Sequence, residues 1–108
     1  MALDAGYMAY VLDQIGLVLP VRGRRMFGGA GIYAGDLLFA VIGSDNRLFF
    51  KADATTRARY LAAGMERWEH GEYYELPADA LEDPDDLRSW LDDALAVARS
   101  KPGKKNSG

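Results

Sequence analysis

The sequence contains no cysteine, a single histidine and no long apolar run. The missing cysteines exclude disulfides, thiolate metal sites and cysteine nucleophiles, and they are typical of a cytoplasmic protein. No stretch approaches the about 18 consecutive apolar residues of a membrane-spanning helix. The N-terminus, MALDAGYMAY, carries an early aspartate and no basic residue, which is unlike a secretory signal. We therefore expect a cytoplasmic protein without membrane contact.

Basic charge is also scarce. The formal net charge is −3, and residues 1–100 hold sixteen acidic and ten basic residues. Since a domain that binds duplex nucleic acid draws its affinity from a net basic surface, we expect no direct nucleic-acid binding. The 108 residues, 49% of them apolar, suffice for one domain core. We place this domain at 1–101 and predict a disordered polar tail over 102–108.

The spacing of apolar residues predicts helices and strands in the first half of the chain. A stripe at intervals of three and four predicts a helix over 3–18, with Asp4 near its start. The period then changes to two, with turn residues between short apolar runs. Four antiparallel strands are predicted, at about 21–27, 30–34, 37–43 and 47–52.

The second half of the chain returns to helical patterns. Asp53 is expected to cap a helix that ends at Gly64, with a buried stripe made of Ala58, Leu61 and Ala62. Two short strands are predicted to turn at His70-Gly71. A last helix is predicted to begin with Asp83 as the cap and Pro84 in the first helical position. We expect an α+β domain of two layers, an antiparallel sheet flanked by helices, in the order helix, four strands, helix, two strands, helix.

The segment RGRRMFGGAG at 22–31 raises the main functional question. A phosphate-binding loop needs a helix that starts directly after the glycines, whereas an apolar strand pattern follows here. We therefore interpret Gly28, Gly29 and Gly31 as a hairpin turn and bulge. Three glycines exceed what a turn needs, so close approach by another backbone or a ligand stays open.

The arginines of the same segment allow two interpretations. On a strand, Arg22 and Arg24 share one face and Arg25 points to the other. Such a row fits a solvated edge strand that charge protects from aggregation. It also fits a surface that binds a phosphate or the carboxylate of a partner.

Catalytic and metal-binding patterns are missing. His70 has no further ligands at metal-site spacing, and no serine lies in a G-x-S-x-G motif. The acidic residues over 79–86 lack the spacing of a calcium loop. We predict no enzymatic activity, no cofactor and no metal. A pocket that gathers His70, Glu72, Tyr73 and Arg25 is the enzymatic alternative.

Three separated blocks resemble the N-terminal domain of the TfoX family, regulators of competence genes. They are VRGRRMFGGAGIYAGDLLFAVI from Val21, RLFFKAD from Arg47 and YYELPADALEDPDDLRSWLDDAL from Tyr73. With the first helix, the resemblance covers about 3–100. It implies an antiparallel sheet flanked by helices, in a stand-alone N-terminal domain, and it implies no catalytic residues.

These observations favour a non-enzymatic regulatory or adaptor domain that contacts another protein or forms a homodimer. The expected contact residues lie in the arginine-glycine segment: Arg24, Arg25, Met26, Phe27, Gly28 and Gly29. The alternative is a site for a small anionic ligand or nucleotide in the same segment. If Phe27 were buried and Arg25 paired with an internal carboxylate, the segment would instead be architectural.

Overall fold

The computed structural model describes residues 3–100. Within them lie four helices and five strands. In chain order they are α1 (Ala5–Gly16), β1 (Arg22–Met26), β2 (Gly29–Ala34), β3 (Leu37–Ile42), β4 (Leu48–Lys51), α2 (Arg57–Ala62), β5 (Tyr73–Glu75), α3 (Ala78–Glu82) and α4 (Pro84–Ser100). The strands form one antiparallel sheet in the order β1-β2-β3-β4-β5. The predicted α+β class is confirmed, and the first four strands lie where the two-residue period placed them.

The main core lies between one face of the sheet and the helices. α4 packs on β3 and β4, and α1 packs on β1 and on the last two helices. The apolar stripe predicted for α4 is buried, with Leu87, Leu91 and Ala94 fully enclosed. Phe39 and Phe50 meet edge to face, with ring centroids 5.7 Å apart. The helical layer therefore covers one side of the sheet and leaves the other to loops and solvent.

Short acidic side chains begin the two long helices, as predicted. The Asp4 carboxylate accepts a hydrogen bond from the Tyr7 amide at 3.2 Å, which satisfies a free N–H of the first turn of α1. The Asp83 carboxylate accepts from the amides of Asp85 and Asp86 at 3.1 and 3.4 Å, and Pro84 takes the first position of α4.

The predicted element order is wrong between α2 and α4. The expected strand before His70-Gly71 is only an isolated bridge from Arg67 to Tyr74. Two backbone bonds flank this bridge, from the Glu75 amide to the Glu66 carbonyl at 2.9 Å and from the Trp68 amide to the Tyr73 carbonyl at 2.7 Å. The segment is therefore too short for a strand ladder. The five-residue helix α3 was not predicted, because one helical turn carries almost no periodic signal.

The predicted buried stripe of α2 is also wrong. Tyr60 is the buried residue of this helix, whereas Ala58 and Ala62 are exposed and Leu61 is 56% exposed. Asp53 does cap, but it caps the turn before the helix, where its carboxylate accepts from the Thr55 and Thr56 amides. This turn precedes α2, which starts at Arg57.

The ends of the predicted domain fall partly outside the described residues. Residues 1, 2 and 101 of the predicted domain at 1–101, and the predicted tail at 102–108, lie outside the described residues. Within 3–100, no helix has the length and apolar character needed to cross a membrane.

Candidate functional site

The arginine-glycine segment forms a tight hairpin between β1 and β2. Met26 pairs with Gly29, so the loop consists of Phe27 and Gly28 alone. Both loop residues have positive φ, 50° and 81°, as in the type I′ turn that suits the twist of a hairpin. The glycine segment thus joins two neighbouring strands, as predicted, and β2 continues through it where a phosphate loop would start a helix.

The glycines of this segment serve close packing as well as the turn. A Cβ atom on Gly29 would meet the backbone carbonyl of Ile42 on β3. A Cβ atom on Gly31 would lie 2.8 Å from the Met26 side chain and 2.9 Å from that of Leu38. The close backbone approach left open by the sequence is therefore real, and it comes from the protein's own next strand.

Phe27 is the unusual residue of the turn. Its side chain is 100% exposed, although it is one of the largest apolar groups in the chain. Its left-handed φ suits asparagine or glycine, and it strains a bulky side chain. Neither burial nor the turn explains a phenylalanine here. An exposed ring held by a strained backbone is a feature that clusters at functional sites.

The arginines of β1 lie on both faces of the strand. Because a Cβ atom on Gly23 would meet Met8 and Leu12 of α1, Gly23 faces the helices, and Arg22 and Arg24 face away from them. Arg22 contacts the turn between β2 and β3, where its guanidinium donates to the Gly35 carbonyl at 3.2 Å and lies 4.0 Å from the Asp36 carboxylate.

Arg24 and Arg25 lack such contacts. Both are exposed, and within residues 3–100 neither side chain makes an ion pair, hydrogen bond or ring contact. Arg25 is thus not paired with an internal carboxylate, and Phe27 is not buried. The arrangement that would have marked the segment as purely architectural is not the one observed.

A cavity of about 400 Å³ opens beside the turn, on the side of the sheet away from the helices. Its lining comes from the hairpin, from the end of β3 and from the loop before β5. The lining residues are Met26, Phe27, Gly29, Ala30, Val41, Ile42, Gly43, Ser44, Trp68 and His70. The walls are mainly apolar, and exposed arginines stand on the neighbouring strand. A cavity of this kind suits an apolar side chain whose flanking residues are acidic.

A small aromatic cluster forms one wall of this cavity. The Trp68 ring packs against Phe49 and Tyr73, with centroids 6.1 and 5.5 Å apart, and His70 meets the Trp68 ring edge to face at 5.1 Å. Phe49 is 2% exposed although it faces away from the main core. Burial also raises the pKa of the Tyr73 hydroxyl, which stays neutral at physiological pH.

An ion-pair network holds the loop that carries Trp68. One nitrogen of Arg47 lies 2.8 Å from the Glu66 carboxylate and 2.7 Å from that of Glu75. These hydrogen bonds, that of Glu75 first, raise the pKa of Arg47 above its ordinary value. The guanidinium also covers the Phe49 ring at 5.3 Å from its centroid. The network fixes both ends of the 66–75 segment, and so it fixes the position of the cavity wall.

The family comparison agrees with this architecture. The family model described as the TfoX N-terminal domain matches residues 13–98. The chain belongs to the TfoX N-terminal domain family. A comparison with curated proteins finds no match.

The match to the TfoX N-terminal domain takes in the whole sheet, the end of α1 and most of α4. It includes the six predicted contact residues and the cavity walls around them. Sequence reasoning missed Val41, Gly43 and Trp68 as neighbours of the hairpin. His70 was predicted only as part of a turn. The sequence signal was the aromatic stretch WEHGEYY, which also holds the chain's single histidine.

Proposed function

We propose that this TfoX N-terminal domain is a non-enzymatic regulatory or adaptor domain that acts by contacting another protein, like the N-terminal part of a competence regulator. The contact is made by the hairpin surface, which consists of Arg24, Arg25, Met26, Phe27, Gly28 and Gly29. One observation carries the proposal: a fully exposed phenylalanine is held in a left-handed turn at the rim of an apolar cavity.

The composition of this surface resembles that of protein interfaces. Aromatic residues, methionine and arginine are the types that interfaces favour, and a few such anchors supply most of the binding free energy. Here Met26 and Phe27 provide adaptable apolar contact, and Arg24 and Arg25 provide charge. Neither arginine has an ion-pair partner within residues 3–100. Binding a partner therefore displaces water from the two guanidinium groups and breaks no existing ion pair.

The polar groups of the cavity support a binding role over a catalytic one. The Ser44 hydroxyl and the His70 ring both line the cavity, yet no hydrogen bond within residues 3–100 joins them. The Glu69 carboxylate lies 3.3 Å from Nε2 of His70, but these side chains are 81% and 65% exposed. A nucleophile needs an oriented base in a site that excludes water, and this arrangement offers neither.

Partner capture with charge-reversed variants tests the proposal. The immobilised wild-type domain is compared with Arg24→Glu/Arg25→Glu and with the matched control Arg88→Glu/Arg99→Glu, which reverses two exposed arginines of α4. We expect the hairpin variant to lose partners that the wild type and the control retain. Urea unfolding verifies that all three are folded. Identical captured proteins in all three would contradict the proposal.

A small anionic ligand is the second candidate, favoured by the two unpaired arginines. A thermal-shift series with phosphates and nucleotides tests it. Binding at about 100 times the dissociation constant adds roughly 2.7 kcal/mol of stability. A shift that Arg24→Glu/Arg25→Glu abolishes would support the ligand site, and no shift at millimolar concentrations would count against it. Arg24 and Arg25 face opposite sides of β1, which argues against a joint grip on one small anion.

A further inference from the structure

We infer that the partner of the hairpin surface is an extended acidic segment that adds to the sheet as a sixth strand beside β1. This inference rests on the proposed function and names the chemistry of the partner. Within residues 3–100, β1 stands at the edge of the sheet and pairs only with β2. Its other edge is available to an added strand, whose main-chain hydrogen bonds would supply affinity.

The backbone of β1 has the geometry that strand addition requires. In a two-residue hairpin the pair flanking the loop, here Met26 and Gly29, exchanges both hydrogen bonds, and pairs then alternate. The N–H and C=O groups of Gly23 and Arg25 consequently point away from β2. Among the backbone hydrogen bonds outside helices and strands within residues 3–100, none involves β1. The outward groups of this strand face no backbone partner in the described part of the chain.

The charge of β1 selects the partner. Three of its five residues are arginine and none is acidic, in a chain with a net charge of −3. A strand laid beside β1 places its side chains next to these arginines, where opposite charges attract and like charges destabilise. The same rule disfavours a second copy of this chain, because antiparallel pairing of two β1 strands would oppose arginine to arginine. An acidic segment is the complementary occupant.

The alternation of side chains adds a finer requirement. Arg22, Arg24 and Met26 share the face away from the helices, and Arg25 lies on the other face. A complementary segment carries acidic residues beside Arg22 and Arg24, then an apolar residue beside Met26. That apolar residue reaches the rim where Phe27 and the cavity meet. The inferred recognition pattern is therefore acidic residues at alternate positions followed by a large apolar residue.

Edge arginines also have an ordinary role, which is to prevent sheets from aggregating through their edges. That role needs charge of either sign, whereas strand addition by an acidic segment needs positive charge and free backbone donors. Reversing the charge and blocking the donors therefore separates the two explanations.

The test uses synthetic peptides of about ten residues, the length of one strand. The acidic probe alternates glutamate with valine and ends in phenylalanine. Its controls are the same peptide with lysine for glutamate and the acidic peptide N-methylated at alternate residues. Amide spectra of the isotope-labelled wild-type domain report binding. We expect the acidic peptide to shift the Gly23 and Arg25 amides most, and both controls to bind at least about tenfold more weakly.

Variants of β1 complete the test. Arg24→Glu/Arg25→Glu should reverse the preference from the glutamate peptide to the lysine peptide. Arg25→Pro removes an edge donor at a position where a strand tolerates proline, so it should bind the acidic peptide more weakly than Arg25→Gln does. Should the proline variant unfold, the N-methylated peptide still tests the backbone bonds.

In the peptide experiment, equal binding of all three peptides or no binding of the acidic peptide would overturn the inference. Two further measurements could also overturn it: sedimentation that shows a dimer paired through β1, and a binding assay in which an oligothymidine strand is preferred to the acidic peptide. Loss of captured partners in Arg24→Glu/Arg25→Glu without any acidic-peptide binding would sink the inference and leave the proposed function standing. Peptide binding that persists in Arg24→Glu/Arg25→Glu would contradict the inference, and unchanged partner capture by the same variant would contradict the proposed function.

Discussion

Phe27 is the residue whose conformation and exposure are hardest to explain by folding alone. A left-handed non-glycine residue costs on the order of 1–3 kcal/mol, and a fully exposed ring recovers none of this through burial. Asparagine tolerates the left-handed region far better and is typical of the type I′ turn. We therefore predict that Phe27→Asn raises the free energy of unfolding by about 1 kcal/mol, measured by urea denaturation.

The control for this prediction is Tyr10→Asn, which removes an exposed aromatic from helix α1, where φ is negative. It should show no gain in stability. If Phe27→Asn lowered stability instead, the ring would have a folding role that its exposure does not reveal, and the argument for a binding role would weaken.

Position 29 requires glycine because a neighbouring backbone atom leaves no room for a side chain, and its backbone angle imposes no such requirement. An added methyl group would press on the backbone carbonyl of Ile42, which cannot move without disturbing the β2–β3 pairing. We predict that Gly29→Ala lowers the free energy of unfolding by about 2–3 kcal/mol. In Gly16→Ala nothing lies within 4 Å of the added methyl, so that variant should be neutral or more stable. Equal effects of the two changes would refute the close contact.

The glycines illustrate what sequence reasoning can reach at the scale of a residue. The absence of a helix after the glycines correctly predicted a hairpin. The surplus of glycine indicated a close approach, but its partner, Ile42, is thirteen positions away and was not identifiable. Nothing in the sequence distinguished a buried Phe27 from an exposed one, because a turn residue has no periodic pattern that assigns it to a face.

At the scale of elements, Asp53 controls where α2 begins. Its carboxylate accepts hydrogen bonds from the Thr55 hydroxyl and from the Thr55 and Thr56 amides, at 2.7, 3.0 and 3.1 Å. These bonds, the one from the Thr55 hydroxyl first, hold the pKa of Asp53 below its ordinary value. We predict that Asp53→Ala costs about 1 kcal/mol at neutral pH.

The pH dependence of this cost has a definite sign. Because the pKa of Asp53 is lower in the folded than in the unfolded chain, its stabilising effect is present above the unfolded value, about 3.9, and is lost as pH falls through the folded value. The stability difference between wild type and Asp53→Ala should therefore shrink below about pH 4. Denaturation series from pH 7 to pH 3 measure it, and a difference that grew on acidification would refute the assignment.

Helix α2 also buries a hydroxyl that is not satisfied within residues 3–100. The Tyr60 ring lies against Trp90 at 4.8 Å between centroids, and its hydroxyl has no hydrogen-bond partner there. Burial raises the pKa of this hydroxyl, so it is neutral. We predict that Tyr60→Phe is neutral or stabilises by up to about 1 kcal/mol, whereas Tyr60→Ala costs about 3–5 kcal/mol. Thermal unfolding of both variants measures the two contributions: Tyr60→Ala reports the packing of the ring, and Tyr60→Phe reports any hydrogen bond of the hydroxyl.

The elements with strong periodicity or clear caps were predictable, and the others were not. Long alternation located the first four strands, and Asp83 with Pro84 located the start of α4. Between Gly64 and Asp83 the same reasoning located the strand after His70-Gly71, which is β5, but it failed for the strand before that turn and for α3. The single bridge at Arg67 depends on tertiary context, which overrides local preference.

At the scale of the whole molecule, the helices cover one face of the sheet and the aromatic cluster around Trp68 covers only part of the other. The cavity arises where that cluster, the end of β3 and the hairpin meet. Its walls come from segments around residues 26–30, 41–44 and 68–70, and no pattern in the sequence indicated that these would converge. Family and fold were thus predictable, while the composition of the site depended on the topology.

Partner capture by wild type and Phe27→Asn, side by side, tests most directly whether the hairpin is a contact surface, because the variant is expected to fold at least as stably as the wild type. We predict that Phe27→Asn loses the proteins that the wild type and Tyr10→Asn both retain. If the folded Phe27→Asn variant captured the same proteins in the same amounts, the hairpin would be a structural turn and the proposed function would be wrong.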